Sequence, residues 1–96
     1  MSKTVRAHVI ISGRVQGVCF RMETRRMADR IGVRGWVRNT IEGTVEAVFE
    51  EAEEKVLRIL EWCRQGPPHA DVHHVEIEWE PYAGELNSFE IRYDVF

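Results

Sequence analysis

Val5-Arg6-Ala7-His8-Val9-Ile10-Ile11 runs through Ser12 into Gly13-Arg14-Val15-Gln16-Gly17-Val18-Cys19-Phe20-Arg21, and this passage sets the first unit of the fold. Its first half places Val5, Ala7, Val9 and Ile11 on alternate positions, the period of a strand with one buried face. A helical pattern begins as the passage ends. Phe20, Thr24, Met27, Ala28 and Ile31 share one helical face, and Gly32 stops the helix. The loop between them holds Gly13 and Gly17, which allow the dihedrals that a concave turn requires. Such a loop lets backbone N–H groups converge on one point. The helix start adds unpaired N–H groups and the positive end of its dipole, which favours a bound anion. Arg21 supplies charge-assisted donors matched to phosphate or carboxylate oxygens. The passage predicts a strand–loop–helix unit forming an oxyanion cradle with an arginine at its rim.

Other phosphate loops do not fit. A Walker A loop needs G-x-x-x-x-G-K-[ST], but Val18 and Cys19 follow Gly17. A thiolate phosphatase separates its Cys and Arg around a loop, whereas only Phe20 lies between Cys19 and Arg21. The glycines alone would be an ordinary turn; Arg21 shifts the balance toward anion binding.

Working outward, Val33 to Asn39 reads as a strand and Thr40-Ile41-Glu42-Gly43 as a hairpin connection. Thr44 to Glu50 returns, with Val45, Ala47 and Phe49 on one side and Thr44, Glu46, Val48 and Glu50 on the other. Ala52, Val56, Ile59, Leu60 and Cys63 recur at helical spacing, with Glu51, Glu53 and Glu54 at the start and Arg64 near the end, as the helix dipole prefers. Gly66-Pro67-Pro68 terminates this second helix. A fourth strand follows with Val75, Ile77 and Trp79 facing in and Glu76, Glu78 and Glu80 facing out. Pro81 to Ser88 is a loop, and the last strand alternates Phe89, Ile91, Tyr93 and Val95 with Glu90, Arg92 and Asp94.

The order β-α-β-β-α-β predicts an α+β, ferredoxin-like open-faced sandwich: an antiparallel sheet with both helices on one face. The final strand either continues the pattern or forms an extra C-terminal edge. Largely polar outward positions suit an open sheet face. The 96 residues, 44% hydrophobic and 30% charged, fit one domain spanning residues 1–96 with a core that needs no metal or disulfide staple. No run reaches membrane-span length and no signal segment opens the chain, so the expected location is the cytoplasm. A net charge of −3 argues against a nucleic-acid partner.

Cys19 and Cys63 are the only cysteines and have no histidines at zinc spacing, so no metal site is expected. Two reduced thiols suit a cytosolic protein, although one disulfide would also satisfy the count. Cys19 is expected to pack rather than react. His73 and His74 are adjacent strand residues that should point to opposite faces, and His8 and His69 lack recognisable partners. The glutamates around the second helix read as a solvated face.

Gly35-Trp36-Val37-Arg38-Asn39 places Asn39 where its strand meets the hairpin. Alone, this Asn is a turn-former, Trp36 is core or rim packing and Arg38 is a solvated charge. Together with the first loop, however, the segment resembles the acylphosphatase family. One family signature is similar to G-x-V-Q-G-V-x-F-R, matched by Gly13, Val15, Gln16, Gly17, Val18, Phe20 and Arg21. The other is similar to G-[FYW]-[AVC]-[KRQAM]-N-x-x-x-G-x-V-x-x-x-x-x-G, matched by Gly35, Trp36, Val37, Arg38, Asn39, Gly43 and Val45. Glu51 stands where the pattern ends in Gly, a departure that bears on local turn geometry at the start of the second helix. The resemblance spans essentially the whole chain.

The resemblance implies a metal-independent hydrolase that cleaves small acyl phosphates to carboxylate and inorganic phosphate, without a cofactor. It implies that Arg21 binds the phosphoryl oxygens, Asn39 positions the attacking water, and the backbone N–H groups of Val15, Gln16, Gly17, Val18, Cys19 and Phe20 form the cradle. The implied partner is a small-molecule acyl phosphate, with inorganic phosphate as product and competitive inhibitor, no nucleic acid or membrane, and a monomeric enzyme. The alternatives are a non-catalytic anion-binding module, as in larger maturation proteins that handle carbamoyl groups, or an RNA-binding module. Arg34-Gly35-Trp36 resembles the start of an aromatic RNA-binding signature, but Val37-Arg38-Asn39 does not continue it. The lack of appended domains and the presence of both Arg21 and Asn39 favour a free-standing enzyme.

Overall fold

The computed structural model describes residues 3–93, so Asp94 and Val95 of the expected last strand lie outside the described residues. The elements are β1 (Thr4–Arg14), α1 (Phe20–Ile31), β2 (Arg34–Asn39), β3 (Val45–Ala52), α2 (Glu53–Gln65), β4 (Asp71–Glu80) and β5 (Phe89–Arg92). The sheet order is β4-β1-β3-β2-β5. The first four strands pair antiparallel in the ferredoxin-like order. β5 is the extra edge strand, and it joins β2 in parallel. A parallel pair cannot be closed by a tight turn. The chain therefore crosses from the β4 edge to the opposite one.

Alternation on the strands decides the layers. Ala7, Val9 and Ile11 of β1, Val45, Ala47 and Phe49 of β3, Val37 of β2 and Phe89 of β5 are buried together under the helices. Both helices contribute the faces expected from their spacing: Phe20, Thr24, Ala28 and Ile31 from α1, and Val56, Ile59, Leu60 and Cys63 from α2. Phe20 meets Trp62 with ring centroids 5.6 Å apart, fixing the start of α1 against the end of α2. Full burial of a side chain such as Phe49 is worth about 1.5–3 kcal/mol. Gly32 closes α1 in the left-handed conformation, its N–H donating to the Ala28 carbonyl at 2.8 Å. Cys63 is fully buried, which pushes its thiol pKa up, and both cysteines are unpaired.

The helix-free face departs most from expectation. Glu50, read as an outward, solvated carboxylate, is 1% exposed. It lies opposite Arg6 on β1 and Arg34 on β2. Its Oε2 is 3.3 Å from the Arg6 guanidinium and accepts hydrogen bonds from the N–H groups of Ala83, at 2.8 Å, and Gly84, at 3.4 Å. Arg34 donates to Tyr82 Oη and to the Leu86 carbonyl. The 81–88 crossover thus straps the open face and covers Glu50, a tertiary contact that strand alternation does not encode. A buried carboxylate is tolerated only with such partners, since losing one costs about 3–5 kcal/mol.

Other polar residues on this face are paired as well. His8 Nε2 lies 2.6 Å from Glu46, so His8 has a partner after all. Burial raises the Glu46 pKa, but hydrogen bonds from His8 and Arg38 outweigh it and hold the carboxyl below its ordinary value. Trp36 also lies here, with the guanidinium carbons of Arg38 and Arg92 over its ring at 5.4 and 4.7 Å. Arg38 is therefore not simply solvated, and the contact of Arg92 joins β5 to β2.

Three local expectations also change. Trp79 pairs with Ala7 on the helix side yet is 50% exposed, because β4 is an outer strand incompletely covered by α2. Register shifts between Ser12 and Gly13, so the alternation breaks, and both His73 and His74 are exposed. Glu51 is a strand residue opposite Val5, 3.5 Å from Arg34 Nε, so there is no turn there for glycine to serve.

Candidate active site

The loop after β1 begins at Val15, so Gly13 is not part of it. Gly13 belongs to β1, and a Cβ on it would meet the Asp71 carbonyl oxygen at 2.2 Å; it is there for a close strand approach. Gly17 is in the loop itself, at φ +74°, where a Cβ would project into open space. Cys19 has φ +64°, which makes it, among the described residues, the one non-glycine in the left-handed region. Its thiol side is exposed rather than packed, because the reversed backbone turns it away from the core. These two left-handed residues curl the chain as it enters α1.

That curl leaves donors available. The N–H groups of Gln16, Gly17, Val18 and Cys19 donate to no backbone carbonyl among the described residues. The first α1 bond runs from the Glu23 N–H to the Cys19 carbonyl at 3.0 Å, so the N–H groups of Phe20, Arg21 and Met22 have no partner within the helix. Arg21, the second helical residue, is half-buried and has no carboxylate partner among the described residues. Its guanidinium carbon lies 5.2 Å from the centroid of the Tyr93 ring.

Asn39 ends β2 on the helix side, by parity with buried Gly35 and Val37. The hairpin that follows is built without it. Thr40 N–H donates to the Thr44 carbonyl, Gly43 N–H to the Thr40 carbonyl, and the two threonine hydroxyls meet at 2.6 Å. The Asn39 amide makes no hydrogen bond to a described residue, so it is not the turn-former that its position alone would suggest. Gln16 ties the two segments together: its Nε2 donates to the carbonyls of Thr40 and Thr44, each at 2.9 Å. The cradle loop and the hairpin after Asn39 are thereby held at a fixed separation.

One cavity of about 340 Å³ gathers Val15, Gly17, Cys19, Phe20, Arg21 and Asn39. Gln16 and Val18 do not line it; Gln16 faces the hairpin and Val18 is buried in the core. Met22, Ile91 and Tyr93 line it as well and were not singled out from sequence. Ile91 and Tyr93 share the inward parity of the last strand. Only the docking of β5 beside β2 brings them to Asn39, and no local pattern reports which edge a strand will join. Chemically, the residues that line the hollow carry N–H groups without a backbone partner among the described residues, a guanidinium and a neutral amide. Such a set can hold a tetrahedral oxyanion and orient one water beside it.

Known proteins resemble this chain in sequence and fold. The acylphosphatase family model matches residues 7–91, from β1 into β5. A Pelotomaculum thermopropionicum protein named acylphosphatase is 53% identical over 88 residues, covering 92% of this chain and 96% of its own length. An acylphosphatase structure from Coxiella burnetii superposes with a TM-score of 0.87 at 35% identity, covering 93% of each chain. One from Bacillus subtilis gives 0.89 at 30% identity over 93% of this chain and 99% of that one. A family match over residues 7–91, together with a 53% identical relative covered almost end to end, shows that the chain belongs to the acylphosphatase family.

Proposed function

We propose that the protein hydrolyses the carboxyl–phosphate bond of small acyl phosphates, giving a carboxylate and inorganic phosphate by direct attack of water. The observation that carries this is the single cavity shared by the cradle loop, Arg21 and Asn39. Relatives and solved structures named acylphosphatase support the same activity. In the proposed complex the phosphoryl oxygens accept hydrogen bonds from the 15–20 loop, the first turn of α1 and the Arg21 fork. Charge on the equatorial oxygens is stabilised where it develops, by donors already in place. The Asn39 amide orients water in line with the leaving group. The water oxygen bonds to phosphorus, the bond to the carboxyl oxygen breaks, and the carboxylate leaves with the electron pair. The water proton passes to phosphate or solvent, since a neutral amide is no strong base. A carboxylate is so weakly basic that it departs without a general acid.

Residues 1–96 are then one catalytic domain acting as a monomer in the cytoplasm, a setting supported by two unpaired thiols. Inorganic phosphate is both product and competitive inhibitor. Assaying purified protein with benzoyl phosphate tests the proposal directly, and absence of hydrolysis would overturn it. Exhaustive chelation is expected to leave the rate unchanged, and alkyl phosphate monoesters should be poor substrates, because their alkoxide leaving groups need an acid or metal. Activity lost to chelator and restored by a divalent ion would contradict the metal-free step.

Cys19 is assigned a backbone role only. Cys19→Ala is expected to retain kcat/KM to within about twofold, since alanine keeps the N–H and carries a similar backbone cost at φ +64°. A nucleophilic thiolate would instead form a phospho-enzyme. Acid quenching with labelled acyl phosphate distinguishes the two: label trapped on Cys19, with an inactive alanine variant, would replace direct water attack by a covalent route.

A further inference from the structure

The two working parts of the proposed active site come from segments that the sheet itself does not hold together. Asn39 ends β2, whereas the loop carrying the N–H groups of residues 15–19 follows β1. β1 pairs with β3, the strand after the hairpin, from Thr4 opposite Ala52 to Ile11 opposite Val45 and no further. Beyond Ile11 the register shifts between Ser12 and Gly13, and β1 runs on to Arg14 beside β4 alone. The chain therefore enters the loop without a ladder bond to the hairpin. Among the described residues, Gln16 makes the hydrogen bonds that join residues 15–19 to residues 39–45. Its half-buried side chain donates from Nε2 to the carbonyls of Thr40 and Thr44, each at 2.9 Å.

That tie falls beside the residue proposed to hold the water, because Thr40 directly follows Asn39 in the chain. In-line attack needs the reacting atoms about 3–3.5 Å apart, and a misplacement of about 1 Å can cost about 10²-fold in rate. Gln16 does not line the cavity, so its side chain touches neither the phosphoryl group nor the water. Resting on the hydrolase proposed above, we infer that the Gln16 side chain is a positioning residue that sets the distance between the phosphoryl site and the water held by Asn39. Glutamine suits the task because one amide nitrogen carries two donors, and both are used here. The hairpin does not depend on it. The Thr40 carbonyl also accepts from the Gly43 N–H at 3.2 Å, and the Thr44 carbonyl from the Thr40 N–H at 3.0 Å. Nor does the curl of the loop, which Gly17 and Cys19 set through their positive φ. The amide thus fixes how two preformed pieces lie relative to one another, and not the shape of either.

Gln16→Met keeps the length of the side chain and removes both donors. Steady-state kinetics with benzoyl phosphate and inhibition by inorganic phosphate are measured in the wild type, Gln16→Met, Asn39→Ala and the double variant. Gln16→Met is expected to lower kcat about ten- to thirtyfold, while the inhibition constant for phosphate changes less than about twofold. In the Asn39→Ala background the same change should cost less than about threefold, because the water whose place it sets is no longer held. Gln16→Glu, which has no donor when ionised, should show the same pattern and serves if melting curves reveal a poorly folded Gln16→Met. Equal losses in the two backgrounds would overturn the role, as would a wild-type kcat in both Gln16 variants. Phosphate affinity falling in step with kcat would also overturn it, by making Gln16 a support of the cradle alone. A wild type inert toward benzoyl phosphate would overturn the hydrolase and this role together, whereas each of the other failures leaves the hydrolase standing.

Discussion

Arg21→Ala is expected to lower kcat/KM by about 10³-fold or more and to weaken inhibition by inorganic phosphate markedly. Among the described residues that line the cavity, this arginine is the one that carries a charge. A loss of that size corresponds to about 4 kcal/mol, more than a charge-assisted hydrogen bond contributes at a wet surface. The excess reflects a donor fixed before the reaction, on the first turn of a helix whose start is anchored by Phe20 against Trp62. Arg21→Lys should recover little, because an ammonium restores charge but not the planar fork. Steady-state kinetics and phosphate inhibition on variants with wild-type melting behaviour decide the matter. Near-wild-type kcat/KM in either variant would remove Arg21 from the chemistry.

Asn39→Ala should fail in a different way. If the amide orients water and does not hold substrate, kcat falls by about 10²-fold while the inhibition constant for phosphate barely moves. The fold should tolerate the change, since the hairpin is held by Thr40, Gly43 and Thr44 and not by the Asn39 side chain. The contrast with Arg21 is the discriminating measurement. A large loss of phosphate affinity with kcat preserved would make Asn39 a substrate ligand instead.

Much of this architecture could be read from the chain because it is local. The alternation of β1, the 3.6-residue spacing of α1 and α2, Gly32 and Gly66-Pro67-Pro68 as stops, and the 40–43 hairpin all depend on neighbours in sequence. The residues gathered around the cavity from the first loop were legible for the same reason. What was not legible depends on which distant segments meet. Glu50 looked solvated because nothing near it announces that the 81–88 crossover will cover it. His8 looked unpartnered because Glu46 reaches it across strands. Ile91 and Tyr93 showed the right parity, yet their place in the site comes from a parallel pairing between segments far apart in sequence. The tie from Gln16 to the hairpin is of the same kind, a side chain read as part of a loop that in fact spans to another element.

The placement of β5 has a consequence for how copies of this protein meet one another. A sheet edge offers unpaired backbone groups to any neighbouring chain and can seed aggregation. Without β5, the outer strand on that side would be β2, whose Gly35-Trp36-Val37 stretch carries no charge to repel a second copy. With β5 in place the edge is only four residues long and bears Glu90 and Arg92. The opposite edge, β4, is longer, but Glu76, Glu78 and Glu80 stand along it. The crossover that carries Ile91 and Tyr93 to the cavity thus also replaces an adhesive rim with a short, charged one.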